Sequence, residues 1–229
     1  MVTKTSNPFD DSLHVAMYAE RAPKMVPGYR EVHRLASVLI DERVASDARI
    51  LVLGAGGGLE TKSFAEAQPG WSFDAVDPSA AMLDLAAHNL GAHAARVQMH
   101  HGYIEDAPPG PFAAATSLLT LHFLPYEQRR HTAAQVRKRL APGAPFVVAH
   151  MSFPQRDDAE RQLWIGRHVA NLVASGIDNA LVGKARAAIA TEVPVLSPEQ
   201  DRAVLEEAGF DDVTEFFSAF TFRGWVGYA

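Results

Sequence analysis

Apolar positions along this chain switch repeatedly between helical spacing and short continuous runs, and the switching lays out an α/β order. From Tyr29 to Val44, residues Val32, Leu35, Ala36, Leu39 and Ile40 recur at helical spacing and predict an amphipathic helix. Pro27-Gly28 separates it from an earlier helical stretch that begins at His14 and is expected to break again at Pro23. The run Ile50 to Leu53 reads as a buried strand, Leu59 to Ala67 as a helix ending near Pro69-Gly70, and Trp71 to Asp77 as a second strand. Pro78-Ser79 opens a helix that runs to about Leu90 and stops at Gly91. Arg96–His100, Phe112–Leu119 and Pro145–His150 follow as strands, with a polar, basic helix over Glu127–Leu140 before the last of them. Strands alternating with helices predict a mostly parallel sheet covered on both faces. The end of the chain differs. After a helix over Pro198–Ala208, Val213–Phe217 and Phe220–Tyr228 read as two strands, close enough to pair as an antiparallel hairpin at the sheet edge.

One α/β domain over 1–229 accounts for this order. It has an N-terminal helical extension (13–45), a ligand-binding core (49–151), a helical insertion (152–197) and a closing helix with its strand pair (198–229). The insertion is rich in alanine and too long for an ordinary connection, so a cap over a ligand crevice is its expected use. Residues 1–12 read as loose. A formal charge of −6 argues against a dedicated nucleic-acid surface, and the basic helix around Arg129, Arg130, Arg137, Lys138 and Arg139 reads as a solvated face. With no cysteine, thiolate catalysis and cysteine metal sites are excluded. Met1 to Asp10 lacks the apolar core of a signal peptide, no apolar run is long enough to cross a bilayer, and a cytoplasmic protein without a membrane partner is expected. Apolar faces from Val32 to Ile40 and at Phe217, Phe220, Phe222 and Trp225 exceed what one core is expected to bury, which suggests a homodimer.

Chemistry concentrates where the first strand ends. Gly54-Ala55-Gly56-Gly57-Gly58 follows the strand directly and opens a helix, a setting in which backbone N–H groups are expected to lie open to a ligand. Nineteen positions beyond Gly58, at the end of the second strand, Asp77 stands where nucleotide-binding α/β domains place a ribose-gripping acid, and Asp-Pro-Ser also starts a helix well. A dinucleotide fingerprint needs a third glycine at position 59, which is Leu59. The pair points to an adenosine-containing small molecule. Adjacent His100 and His101 point to opposite faces of a strand, so no histidine metal site is expected.

The glycine turn, Asp77 and Leu140-Ala141-Pro142-Gly143-Ala144 resemble, in order and spacing, the landmarks of class I S-adenosylmethionine-dependent methyltransferases. Over nearly the whole chain the pattern is also similar to the carboxy-S-adenosylmethionine synthases of tRNA wobble-uridine modification. That likeness rests on Val26-Pro27-Gly28-Tyr29, on Leu119-Thr120-Leu121-His122-Phe123-Leu124, and on Ala208-Gly209-Phe210 followed by Phe217 and Phe220-Thr221-Phe222. The resemblance implies a Rossmann-like fold, S-adenosylmethionine or its carboxylated form as cofactor, and a homodimer. It implies that Gly54, Ala55, Gly56, Gly58, Asp77 and Pro78 hold the cofactor, that Tyr29 contacts its methionine carboxylate, and that Arg186 pairs with the extra carboxylate of the modified form. An aspartate that holds the adenine amine in that family is here Tyr103, beside Ile104, and an asparagine of strand four is here Leu118. Tyr103 offers an aromatic face for stacking instead, with Glu105 and Asp106 next to it. In the wider family an acid stands two residues before the first glycine, and here that residue is Val52.

Three functions follow from this pattern. The first is methyl transfer to a small-molecule acceptor, which needs alignment and exclusion of water more than a catalytic motif. His122, ending strand four, and His150, ending strand five, are the candidate bases for an acceptor that must lose a proton. The second is a carboxy-S-adenosylmethionine synthase drawing on prephenate. The third is a non-catalytic module that binds the cofactor and uses the cap to recognise a partner.

Overall fold

The structure, a computed structural model, describes residues 12–229; nearly all of the stretch expected to be loose lies outside them. Strands β1 (Arg49–Leu53), β2 (Ser72–Asp77), β3 (Val97–His101), β4 (Ala114–Leu118), β5 (Pro145–Met151), β6 (Asp211–Ala219) and β7 (Phe222–Tyr228) form one sheet in the order β3-β2-β1-β4-β5-β7-β6. The first five are parallel, β7 runs antiparallel to β5, and β6 pairs with β7 at the edge, which is the α/β architecture that the pattern predicts.

Alternation along β1 shows how the sheet is covered. Ile50 and Val52 face helices α2 (Tyr29–Asp41) and α3 (Leu59–Ala67), packing with Val32, Ala36, Ile40 and Phe64. Leu51 and Leu53 face the other side, with Ala133 and Val136 of α5 (Tyr126–Arg137) and Val204 and Leu205 of α8 (Pro198–Glu207). Helix α4 (Ala80–Leu90) starts at Ser79, whose hydroxyl accepts from the Met82 amide at 3.3 Å, so Asp77-Pro78-Ser79 is a helix start as read. A third apolar cluster joins α1 (Ser12–Met25), α6 (Asp158–Ala174) and α7 (Asn179–Thr191) above the ends of β5 and β7, through Val26, Phe153, Ile165, Ile189 and Phe222.

Two expectations are corrected. Helix α1 runs through Pro23, which forgoes its own bond to the preceding turn, and ends at Met25, two residues later. The residues that suggested a second copy are largely internal: Val32, Ala36, Ile40, Phe222 and Trp225 are buried within the one chain, while Phe220 stays exposed. Among the described residues no helix is long and apolar enough to cross a membrane.

From β1 the chain first adds β2 and β3 on one side, then crosses to β4 and β5 on the other. Crossovers leaving in opposite directions open a crevice at the carboxyl ends of β1 and β4, the position at which open α/β sheets bind ligands.

Candidate functional site

A cleft of about 950 Å³ opens at that switch point, toward the upper end of the roughly 300–1,000 Å³ usual for small-molecule sites. Gly54, Gly56, Asp77, Pro78, Tyr103, Ile104 and Leu118 all line it. The glycine turn is built differently from the expected open cradle. Gly54 and Ala55 donate to the Val76 carbonyl (2.8 and 3.1 Å), Gly58 to the Ala55 carbonyl (3.0 Å), and Gly56 to Asp77 Oδ2 (2.8 Å). Four amides of the turn therefore already have partners, and what the turn offers is close approach of the backbone. Gly54 shows why no side chain fits: its φ is +76°, and a Cβ there would stand 2.2 Å from Thr120 Oγ1. Ala55 is buried beneath the turn, and Gly58 packs on Ala86.

Asp77 is buried and accepts from Gly56 N and, through Oδ1, from Ser79 N at 2.9 Å. These two bonds fix the orientation of the carboxylate at the cleft. Beyond β3, Tyr103 is 65% exposed at the cleft mouth and Ile104 is buried beside it. Glu105 lines the cleft with its carboxylate 3.0 Å from His131 Nε2, while Asp106 turns back to accept from the Tyr103 amide. His100 and His101 separate as strand geometry requires, His100 Nε2 lying 2.8 Å from Asp74 Oδ1 and His101 Nε2 3.0 Å from the Pro78 carbonyl.

Tyr29 is buried against the edge of His33, and its hydroxyl bonds to that of Tyr18, which does line the cleft. Burial pushes the Tyr18 hydroxyl up to about 12 and raises Tyr29 further, so both remain protonated donors. Arg186 lies on an exposed face of α7; the residues of that helix which line the cleft are Ala185, Ala188 and Ile189.

At the end of β4 the backbone turns sharply through Leu119, whose φ of +62° is unusual for leucine and marks a strained segment beside the cleft. Thr120 clamps this turn to Gly54 through its hydroxyl, 3.3 Å from the Gly54 carbonyl. His122 follows on a short 3-10 turn, lines the cleft, and keeps a buried Nδ1 without a hydrogen-bond partner. Burial, and next to it His150 and Arg129, hold its pKa well below the ordinary histidine value, so the ring is neutral. His150 does not reach the cleft wall. It is buried behind it, 5.5 Å from the Trp225 ring centroid and with Nε2 3.0 Å from Asp201 Oδ1, out of line for a well-formed hydrogen bond. His168 of α6 lines the cleft and bonds through Nδ1 to Thr221 Oγ1 at 2.9 Å; burial takes it down to about 4.

Arg129 overturns the reading of its helix as wholly solvated. It is fully buried, bonds Asp201, and donates to the carbonyls of Leu124 and Pro194 at 3.1 Å. Burial works to raise Asp201, but His150 and Arg129 keep it ionised. The signal was in the sequence, since Arg129, Ala133 and Val136 share one helix face. Glu60 was missed altogether: an acid at the second position of a helix ordinarily reads as a favourable dipole contact at the surface, and here it is buried.

Comparison with known proteins agrees with this geometry. Residues 50–143 match the family described as "Methyltransferase domain". A structure of an O-methyltransferase-like protein from Nostoc punctiforme superposes with a TM-score of 0.69 at 16% identity, covering 94% of this chain and 59% of that one. Human N-acetylserotonin methyltransferase, solved with S-adenosylmethionine, gives 0.57 at 14% identity, covering 95% and 59%. Likeness at such identities shows the fold, and this chain spans little over half of either protein. The matched segment is a methyltransferase domain, and the fold is the one these methyltransferase structures share. The chain is also similar over nearly its whole length to proteins named carboxy-S-adenosyl-L-methionine synthase. The one from Actinobacillus succinogenes is 26% identical over 219 residues, covering 93% of this chain and 90% of that protein. That of Pasteurella multocida is 25% identical over 227 residues, covering 95% and 91%.

S-adenosylmethionine fits the residues present. A side-chain-free turn at Gly54 and Gly56 meets an oriented, buried carboxylate at Asp77, and an apolar wall at Leu118 and Ile104 adjoins them.

Proposed function

We propose that the chain methylates a small, largely apolar acceptor at a group that must lose a proton, a hydroxyl above all, with His122 as the proton acceptor. The observation that carries this reading is the uncharged imidazole of His122 on the wall of a cleft whose far end is aliphatic and aromatic: Leu119, Met151, Ile189, Val193 and Phe222. S-adenosylmethionine, when bound, supplies a methyl group already activated by its sulfonium, so alignment and dryness are the protein's main tasks.

Gly54, Gly56, Asp77, Pro78, Tyr103, Ile104 and Leu118 hold the adenosyl part, while α1, α6 and α7 close the acceptor end as a cap. His122 takes the acceptor's proton as the cleft loses the donor's positive charge, so the net charge inside does not change. His150, Asp201 and Arg129 form a buried polar group behind it. Turnover with hydroxylated aromatic acceptors, read as S-adenosylhomocysteine formed, should fall about 10²–10⁴-fold in His122→Gln, with affinity for S-adenosylhomocysteine unchanged. Undiminished turnover in that variant refutes the role.

A second reading, formation of a carboxylated S-adenosylmethionine, is favoured by the name that the relatives of matching length share. It needs a cation beside the added carboxylate, and Arg21 is the arginine or lysine that lines the cleft among the described residues. Mass spectrometry of ligand retained through purification decides: a carboxylated species establishes the second reading and overturns the first.

A further inference from the structure

Glu60 sits in the first turn of α3, immediately after the glycine turn, and is 6% exposed. Its Oε1 has no hydrogen-bond partner, and no ion pair among the described residues includes it. The carboxyl faces the Thr116 hydroxyl and the Leu118 backbone on β4, and Leu118 itself lines the cleft. From α1 it is faced by Tyr18, to which Asp77 of β2 also lies close, and from α2 by Tyr29, whose ring meets His33 edge-on. None of these groups is a cation: His33 is held neutral down to about 4 by burial, and both tyrosines stay protonated. Burial pushes the Glu60 carboxyl up to about 8, with no charged neighbour contributing. The Tyr18 hydroxyl lies over Gly56, 3.3 Å from where a Cβ on that glycine would stand. A buried acid without a counter-charge is unfavourable in itself, and this one stands behind the cleft wall, beside the Tyr18 hydroxyl that lines the cavity.

We propose that Glu60, together with the Tyr18 hydroxyl, receives the α-ammonium group at the methionine end of the cofactor and gives up its proton to solvent when that cation arrives. The inference rests on S-adenosylmethionine as the bound species. It adds a residue and a linked ionisation that the glycine turn and Asp77 do not supply, since their contacts are to the adenosyl part.

The test compares two ligands by calorimetry between about pH 6 and 9, in buffers of differing ionisation enthalpy. S-adenosylhomocysteine carries the ammonium, whereas 5′-methylthioadenosine keeps the adenosyl thioether and lacks the amino acid. In the wild type, binding of S-adenosylhomocysteine should release protons at neutral pH and weaken about tenfold for each pH unit below about 8. Affinity for methylthioadenosine should be flat with pH. Glu60→Gln should abolish the proton release and weaken S-adenosylhomocysteine about 10–100-fold, leaving methylthioadenosine unchanged; Tyr18→Phe should weaken the same ligand selectively. Wild-type binding of both ligands without proton release or pH dependence overturns this proposal alone. Equal weakening of both ligands in Glu60→Gln overturns it as well, and failure of the wild type to bind either removes the cofactor reading together with it.

Discussion

Replacing Glu60 by glutamine should make the ligand-free protein more stable, by an amount that depends on pH in a specified way. In the folded chain the carboxyl holds its proton up to about 8, against an ordinary value of 4.5. Below the ordinary value both folded and unfolded states are protonated, and the residue contributes no pH dependence. Between the two values the unfolded chain releases a proton that the folded chain retains, so stability falls as pH rises, by about 1.4 kcal/mol per unit. At pH 7 the accumulated loss is on the order of 3 kcal/mol, and it levels off beyond pH 8. Glutamine does not titrate, so the stability of Glu60→Gln relative to wild type should climb along that profile whatever constant offset the amide introduces. Urea unfolding of ligand-stripped protein at a series of pH values measures the difference directly. A difference that stays constant from pH 5 to 8 would refute the claim that this carboxyl is buried without compensation.

Gly54→Ala should lower the melting temperature by several degrees, because a φ of +76° and a Cβ 2.2 Å from Thr120 Oγ1 together cost at least about 1–2 kcal/mol. It should also abolish S-adenosylhomocysteine binding, and calorimetry showing wild-type affinity would contradict the role given to the turn. Arg129→Met leaves Asp201 buried without its cation and should cost about 3–5 kcal/mol in urea unfolding, whereas Arg129→Met with Asp201→Leu should recover most of that loss.

The layered architecture was legible because each of its elements is announced by local chemistry: Val32, Ala36 and Ile40 at helical spacing, the run Ile50–Leu53, and Asp77-Pro78-Ser79 at a helix start. The glycine turn and Asp77 were legible for the same reason, as both belong to short stretches whose geometry is set within a few residues. What escaped depends on packing between distant segments. Arg129 meets Asp201 across 72 positions, and Tyr29 reaches the cleft through Tyr18 of another helix. Helix propensity alone could not tell a surface acid from the buried Glu60. The turn's amides could be counted from the sequence, but that Val76 and Asp77 engage four of them with Ala55 required the sheet register. His122 and His150 looked equivalent as strand-end histidines; side-chain packing puts the first on the cavity wall and the second behind it.

Because Gly54, Ala55, Gly56 and Gly58 are already tied down by their own neighbours, a cofactor held there as proposed would meet a preformed turn with no separate shape for donor and demethylated product. Affinity for the two should therefore be similar, set apart chiefly by the charge lost at sulfur. If the proposed reaction runs on such a seat, turnover would be throttled by accumulation of its own by-product, and output in a cell would follow the rate at which that by-product is cleared.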